Sequence, residues 1–144
     1  MNLHFIINVV PRSKKNSSQI CRLKNGRTVL LPSEKYKEFE YYCLKNISPE
    51  LKELKINKPI HIKAHFYCES RRRIDLTNLL EALDDMLQTA GVIKDDCRDI
   101  IASHDGSRVY YDKENPRIEI WITDFQEYYE IWKKEDGKKK IPKK

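Results

Sequence analysis

The chain has 144 residues and a mass of 17.2 kDa, a size that favours one domain with a single hydrophobic core. Hydrophobic residues make up 40% of the sequence and charged residues 35%, which is typical of a globular protein with a heavily charged surface. No apolar run approaches the roughly 20 residues that cross a bilayer. The start lacks the features of a secretory signal, and the four cysteines form neither a zinc motif nor a disulfide scaffold. These patterns exclude a membrane span, and we expect reduced cysteines in a cytoplasmic protein.

The net charge of +6 is unevenly distributed. Residues 133–144 carry +5 and residues 1–132 carry only +1, so we predict a single domain over 1–132 and a lysine-rich, frayed tail over 133–144. Within the domain the charges form three basic clusters and one acidic cluster, at 12–15, 22–27, 71–73 and 75–99. Such separation suits a protein that binds a polyanion and carries metal ions to it, although an ordinary solvated surface has the same charge pattern.

The first third of the chain predicts one strand, a loop and a helix. Leu3–Val10 is a short apolar run, typical of a buried strand that ends at a proline. Residues 11–26 are rich in basic and polar side chains and predict a loop, followed by an extended piece at Thr28–Leu31. Ser33 is a suitable N-cap for a helix that runs to about Asn46.

The middle of the chain contains the clearest periodic patterns. Pro59–Cys68 alternates apolar and polar residues, which predicts a half-buried strand. Leucines and other apolar residues from Leu76 to Ala90 form one helical stripe, and Gly91 lies where a helix commonly ends.

The remaining segments predict further strands. A strand is expected around Ile100–His104, and Asp105-Gly106 has the composition of a hairpin turn leading into Arg108–Tyr111. An alternating strand follows Pro116, and Phe125–Trp132 predicts a final helical turn or two. Strands outnumber helices, so the sequence predicts a two-layer α+β domain with a mostly antiparallel or mixed sheet and two main helices.

The acidic cluster has the composition of a divalent-metal site. Six oxygen-bearing side chains lie on the leucine-rich helix or in the turns beside it: Asp75, Asn78, Glu81, Asp85, Asp95 and Asp96. The three inside the helix share one polar face, and the chain turns back after the glycine, so the last two can approach the same helix. Hard cations such as Mg²⁺ and Mn²⁺ prefer oxygen ligands, and three consecutive arginines precede the helix as phosphate binders. The cluster therefore predicts a metal site with phosphate binders at its rim.

Ordinary structural roles account for the same residues. Asn78 and Glu81 fit a capping box, Asp84 and Asp85 fit a solvated helix face, and the two later aspartates fit a plain turn.

The motif R-x-D-L-x-N at residues 73–78, the aspartate at 85, the segment G-V-I-K-D-D at 91–96 and the basic P-R-S-K-K-N at 11–16 resemble the RusA family of Holliday junction resolvases, of phage or prophage type. The resemblance runs without a gap from Arg71 to Asp96 and more loosely from Leu3 to Asp124. It implies a homodimeric, Mg²⁺-dependent crossover junction endodeoxyribonuclease (with Mn²⁺ as a possible substitute) that binds four-way DNA junctions and nicks two strands symmetrically. It also suggests a bacterial or prophage source, and the lysine- and asparagine-rich composition agrees with that expectation.

The resemblance assigns roles residue by residue, with two departures. Thr77 stands where the best-known members carry a second aspartate, and Glu81 stands where they carry a helix lysine thought to serve catalysis. We expect Glu81 to take the role of the lost carboxylate, while Thr77 holds a water or a neutral ligand position. The expected catalytic residues are Asp75, Asp96, Asp95 and Glu81, and the expected metal ligands are Asp75, Asp96, Asp95, Glu81 and Asp85.

DNA binding is expected from basic and amide side chains of two segments: Lys14, Lys15, Asn16, Arg71, Arg72 and Arg73. The alternative for these residues is ordinary surface charge. Two other functions remain open from the sequence, namely a junction-binding module with little or no cleavage and an RNA-binding accessory protein.

Two further groups of residues carry less weight. His61 and His65 lie roughly 13 Å apart along a strand and cannot share one metal ion. Three aromatic pairs are compatible with stacking on unpaired bases and with core or interface packing: Tyr41-Tyr42, Tyr110-Tyr111 and Tyr128-Tyr129.

Overall fold

The computed structural model describes residues 1–14 and 18–125. The predicted tail at 133–144 lies outside the described residues, as do 126–132 of the predicted final helical turns. In chain order the elements are β1 (Asn2–Ile7), β2 (Ser18–Arg22), β3 (Thr28–Pro32), α1 (Glu34–Asn46), α2 (Pro49–Lys52), β4 (Ile60–Cys68), α3 (Leu76–Ala90), β5 (Ile101–Ser103), β6 (Arg108–Tyr111) and β7 (Arg117–Asp124). None of the described helices is long and apolar enough to cross a membrane.

The main sheet is mixed and has β4 near its centre. Strands β1, β7 and β4 are neighbours in that order and pair antiparallel, whereas β5 and β6 both pair parallel with the other edge of β4. Strands β2 and β3 form a separate antiparallel hairpin. The predicted α+β class, with a mixed sheet and two main helices, is confirmed.

One face of the sheet and the two main helices enclose the core. Every second residue of β4 and β7 is buried, as the alternating patterns predict. The stripe of α3 contributes Leu79, Leu83 and Leu87, each at most 1% exposed. Burying one such side chain stabilises the fold by about 1.5–3 kcal/mol, so this stripe fixes which face of α3 points away from solvent.

The predicted start of α1 and the predicted end of α3 agree with the structure, because the residues that fix them lie next to each helix. The Ser33 hydroxyl accepts a hydrogen bond from the backbone N–H of Tyr36 at 3.2 Å, which starts α1 at Glu34. At the other end of the core, Gly91 has φ +87° and ends α3. The chain then reverses, and a parallel bridge between Ile56 and Ile93 holds it against the helix end.

Three details of the elements differ from the sequence-based expectations. The first strand ends at Ile7 rather than at residue 10, and the predicted loop at 11–26 contains β2. Strand β2 was missed because its hairpin turns at Asn25-Gly26, within a stretch whose basic composition concealed the alternation. The short helix α2 begins at a proline that was expected only to follow α1, and Ser48 caps it.

The turn at Asp105-Gly106 is not a hairpin. Strands β5 and β6 run in the same direction, each parallel to β4, so the turn only offsets the chain between two stretches of one sheet edge. The hydroxyl of Ser107, which is buried, accepts the backbone N–H of Ala64 at 3.1 Å and replaces a strand partner at the offset.

Candidate metal and DNA-binding site

The carboxylate at the start of α3 is exposed to solvent. Asp75 occupies the N-cap position, but its side chain makes no capping hydrogen bond to the helix amides. Its Oδ2 instead accepts a weak hydrogen bond from the side-chain amide of Asn78 at 3.4 Å. Because the N-cap is Asp75, Asn78 lies inside the first turn, and the capping box considered for Asn78 and Glu81 is wrong.

Three aspartates meet beside the second half of α3. Asp96 is exposed, but desolvation by the surrounding protein raises the pKa of its carboxyl, and hydrogen bonds with the carboxyl groups of Asp85 and Asp95 raise it further. The backbone N–H of Asp96 also donates to Asp95 Oδ1 at 2.7 Å. Carboxyl groups this close cannot all be ionised without repulsion unless a proton or a cation lies between them. The structure thus brings the G-V-I-K-D-D turn to the helix, as the sequence predicted.

A lysine of the basic loop contacts this acidic group. Lys14 Nζ lies 3.4 Å from Asp85 Oδ2 and 5.5 Å from the centre of the Tyr36 ring. Burial raises the pKa of the Tyr36 hydroxyl, and the negative charges of Glu40 and Asp85 raise it further, so the hydroxyl keeps its proton. Lys14 was expected at a DNA phosphate, and here it balances part of the acidic charge. Lys15 and Asn16 lie outside the described residues.

The acidic side chains along α3, from Asp75 at its N-cap to Asp85 in its second half, form an acidic stripe whose two ends are far apart. At roughly 1.5 Å per residue, about 15 Å of helix separates Asp75 from Asp85, too far for both carboxylates to bind one ion at the usual 2–2.6 Å. Glu81 is exposed and lies one turn before Asp85. Within the described ranges, no group of three or more His, Cys, Asp or Glu side chains is arranged to hold a metal ion. The full ligand set named from the sequence therefore stays a prediction.

The donor chemistry of these residues, though not their arrangement in the described structure, suits a hard divalent cation. The acidic group offers only oxygen donors, and desolvation and the neighbouring carboxyls of Asp85 and Asp95 raise the pKa of Asp96. A bound Mg²⁺ would remove that repulsion, and the single ammonium of Lys14 removes only part of it.

The arginine loop joins β4 to α3 beside Asp75. Arg71, Arg72 and Arg73 are all exposed, and none of them forms an ion pair with another residue of the described chain. A salt bridge of 2.8 Å between Arg12 and Glu69 ties the segment after β1 to the beginning of this loop. Two basic segments distant in sequence therefore flank the same helix, which suits phosphate binding along a DNA strand.

Asp84 is not on a solvated helix face, contrary to expectation. Its Oδ2 lies 2.8 Å from His104 Nε2, while His104 Nδ1 donates to the Ile62 carbonyl at 3.0 Å. Burial raises the pKa of Asp84, and its Oδ1 is buried with no hydrogen-bond partner in the described structure. Burial lowers the pKa of His104, but the hydrogen bond and charge of Asp84 outweigh it and leave the pKa raised. The pair shares one proton and fastens α3 to β4.

Sequence reasoning missed both Tyr36 and His104 as neighbours of the acidic helix. Tyr36 belongs to the apolar stripe of α1 and has no local signal that its hydroxyl faces carboxylates. His104 follows a three-residue strand, and only the parallel pairing of that strand with β4 brings it to Asp84.

Comparison with known protein families gives a match over most of the chain. A family model described as "Endodeoxyribonuclease RusA" matches residues 8–123, about four fifths of the chain. The matched region contains every candidate residue from Lys14 to Asp96. No curated protein matches the chain.

Proposed function

We propose that this chain, which belongs to the RusA endodeoxyribonuclease family, is a divalent-metal-dependent enzyme that resolves four-way DNA junctions by paired, symmetric nicks. Membership of the family makes the protein a nuclease of the Holliday junction resolvase type. The observation that carries the finer proposal is the contact of the Asp85 and Asp96 carboxyls beside Lys14 of the basic loop.

The acidic stripe provides the ligands for the cation. Asp96, Asp85, Asp95 and Glu81 would hold Mg²⁺, or Mn²⁺ in its place, at the second half of α3. The bound cation supplies charge stabilisation for the attacking and leaving oxygens of a phosphodiester. Asp75 is too distant for the same ion and for a second ion about 4 Å from it, so its predicted role as a ligand would need a separate cation at the start of α3.

The basic residues hold the DNA strand against this stripe. Arg71, Arg72 and Arg73 can each bind a phosphate through a planar guanidinium, and they precede Asp75 directly. Lys14, with Lys15 and Asn16 after it in sequence, would contact phosphates from the other side of α3. When DNA and metal bind, we expect Lys14 to exchange Asp85 for a phosphate oxygen, since the cation then neutralises the aspartate.

A homodimer would place two such sites against two strands of a junction. Symmetric paired nicking requires two active sites related by a two-fold axis, which one protomer cannot provide. Sedimentation of the free protein tests this part of the proposal, with a mass near twice 17.2 kDa as the expected result.

The test of the function uses a synthetic four-way junction labelled on each strand in turn. We expect nicks at symmetry-related positions in two opposing strands, only when Mg²⁺ or Mn²⁺ is added, and none in a linear duplex of the same sequence. Absence of nicks from a protein that binds the junction tightly would contradict the enzyme proposal.

That result would instead support a junction-binding module with lost or weak cleavage. The observation in its favour is Thr77, an exposed residue at the position of a family aspartate, together with Glu81 at the position of a family lysine. Retardation of the junction without nicking, at every Mg²⁺ concentration, is the outcome that distinguishes this function.

A further inference from the structure

An exposed aromatic side chain lies at the sheet edge beside the arginine loop. Tyr111 pairs with Cys68 at the last position of β4, so both side chains point to the face of the sheet that carries the helices. Yet Tyr111 is 44% exposed and Val109, two residues earlier on the same face, is 37% exposed. Strand β6 is an edge strand, and the helix layer does not cover it.

The arginine loop reaches the ring of Tyr111. The guanidinium carbon of Arg71 lies 4.4 Å from the ring centre, a distance typical of a cation–π contact. Tyr111 makes no contact with another aromatic ring in the described part of the chain. The result is an exposed tyrosine with a cation on one face and two more arginines close by in sequence.

We propose that Tyr111 and Arg71 form a stacking site for an unpaired nucleobase of branched DNA, an inference that rests on the proposed function. A base stacks on a tyrosine ring irrespective of its identity, and the guanidinium serves the adjacent phosphate. The three arginines of the loop form no ion pair within the described residues, and their positive charge favours a polyanionic ligand over a neutral protein surface.

The position of this site relative to Asp75 gives it a role. Arg71 lies four residues before Asp75, so at most about 14 Å of extended chain separates the two. A base on Tyr111 would therefore lie near Asp75, at the start of α3, rather than at the Asp85 end of the helix. Bases in continuous duplex are already stacked on their neighbours, whereas bases at a branch point can leave the stack, so the site selects branched over linear DNA.

Two other tyrosines can be compared with Tyr111, and one of them, Tyr41, serves as the control. Tyr110 points to the opposite face of the sheet, where its ring stacks on Tyr67 at 5.1 Å. Tyr41 is 59% exposed on α1, has Lys45 Nζ 5.8 Å from its ring centre and also contacts the edge of the Tyr42 ring, so it is an exposed tyrosine beside a cation at a different place. A general effect of losing an exposed tyrosine beside a cation is therefore measured with Tyr41→Leu.

The experiment measures binding of the full-length protein, in metal-free buffer, to a four-way junction with 2-aminopurine at the branch point. We expect the wild type and Tyr111→Phe to change the 2-aminopurine fluorescence on binding, and Tyr111→Leu to lose that change. Tyr111→Leu should bind the junction about 5- to 150-fold more weakly and bind linear duplex as the wild type does. Tyr41→Leu should behave like the wild type in both measurements.

Contradictory outcomes are separable from failure of the nuclease proposal. If Tyr111→Leu keeps its junction affinity and fluorescence change, or weakens on junction and duplex equally, Tyr111 only supports Arg71 and the stacking site is wrong. Thermal unfolding of each variant separates misfolding from lost stacking, and Tyr111→Phe retains the ring if Tyr111→Leu unfolds. A wild type that binds the junction but does not nick it after Mg²⁺ is added contradicts the enzyme proposal and leaves the stacking measurement intact.

Discussion

At the scale of single residues, the contact between Asp85 and Asp96 joins two segments that are separated by the end of α3. The chain reverses at Gly91, and the paired aspartates of the following turn return to the helix face that carries Asp85. The raised pKa of Asp96 means that ionising this cluster without a cation costs folding free energy. A cation bound at this cluster would therefore also stabilise the fold.

Replacing one carboxylate of this cluster is expected to remove most of the stabilisation that the protein gains from Mg²⁺. Mg²⁺ should stabilise the wild type by about 1.4 kcal/mol at ten times the dissociation constant, and by about 2.7 kcal/mol at a hundred times. Asp96→Asn should be at least as stable as the wild type without metal, because a repulsive charge is removed, and should lose most of the Mg²⁺ effect. Urea unfolding with and without Mg²⁺ measures both quantities. Asp99→Asn, an exposed aspartate of the same loop, is the control, and an equal loss of the Mg²⁺ effect there would count against the site.

Glu81 is the residue whose role the family pattern leaves open. If it replaces the lost acid at Thr77, Glu81→Gln should slow junction nicking by about 10- to 100-fold and raise the Mg²⁺ concentration needed for half-maximal rate. Glu34→Gln on α1 provides a control for loss of an exposed glutamate. Unchanged nicking and unchanged metal dependence in Glu81→Gln would remove Glu81 from the site.

At the scale of elements, α3 is the part that organises the site, and two features fix its position. Its C-terminal end packs closely on α2, and its middle is fastened to β4 by the pair of Asp84 and His104. Both features lie outside the acidic stripe, so substitutions there test the scaffold separately from the chemistry.

Gly91→Ala is expected to destabilise the protein more than Gly26→Ala. Both glycines have φ near +85°, where an alanine costs about 1–2 kcal/mol. A Cβ on Gly91 would also lie 2.5 Å from the backbone oxygen of Lys52, whereas a Cβ on Gly26 would have no atom within 4 Å. Urea unfolding of the two variants measures the difference. Equal losses would show that α2 can move away from the end of α3 without cost.

The pair of Asp84 and His104 predicts a pH dependence of stability. Because the folded protein raises the pKa of His104, its contribution is complete below the ordinary histidine value of 6.5 and is lost as the pH rises through the raised value. The free energy of unfolding should be lower at about pH 8.5 than at about pH 5.5. The variant His104→Gln should reduce that difference by on the order of 1 kcal/mol. His4→Gln on β1 is the control. A wild type that becomes more stable over this range, with no change in His104→Gln, would contradict the shared proton.

At the scale of the whole molecule, the features predictable from sequence are those encoded by local periodicity. The stripe of α3, the cap at Ser33 and the alternation of β4 each depend on residues within one element, and each agrees with the structure. The parallel placement of β5 and β6 was not predictable, because an extended segment does not indicate which strand edge it will join.

The candidate site likewise combines features that the local sequence predicts with contacts that depend on packing. The residues from Arg71 to Asp96 were identified because their motif is continuous in sequence, and the return of Asp96 to Asp85 followed from the glycine at the helix end. The contacts of Lys14 with Asp85 and of His104 with Asp84 join residues 71 and 20 positions apart. They depend on how the elements pack, which no local pattern specifies.

The rate of paired nicking of a four-way junction, measured against Mg²⁺ concentration for the wild type and for Asp96→Asn, tests the central claim most directly. We expect the wild type to nick two opposing strands at a rate that rises and saturates with Mg²⁺. Asp96→Asn should bind the junction as tightly and nick it at least about 100-fold more slowly. Nicking by Asp96→Asn at the wild-type rate, or by the wild type in the presence of a metal chelator, would contradict the account.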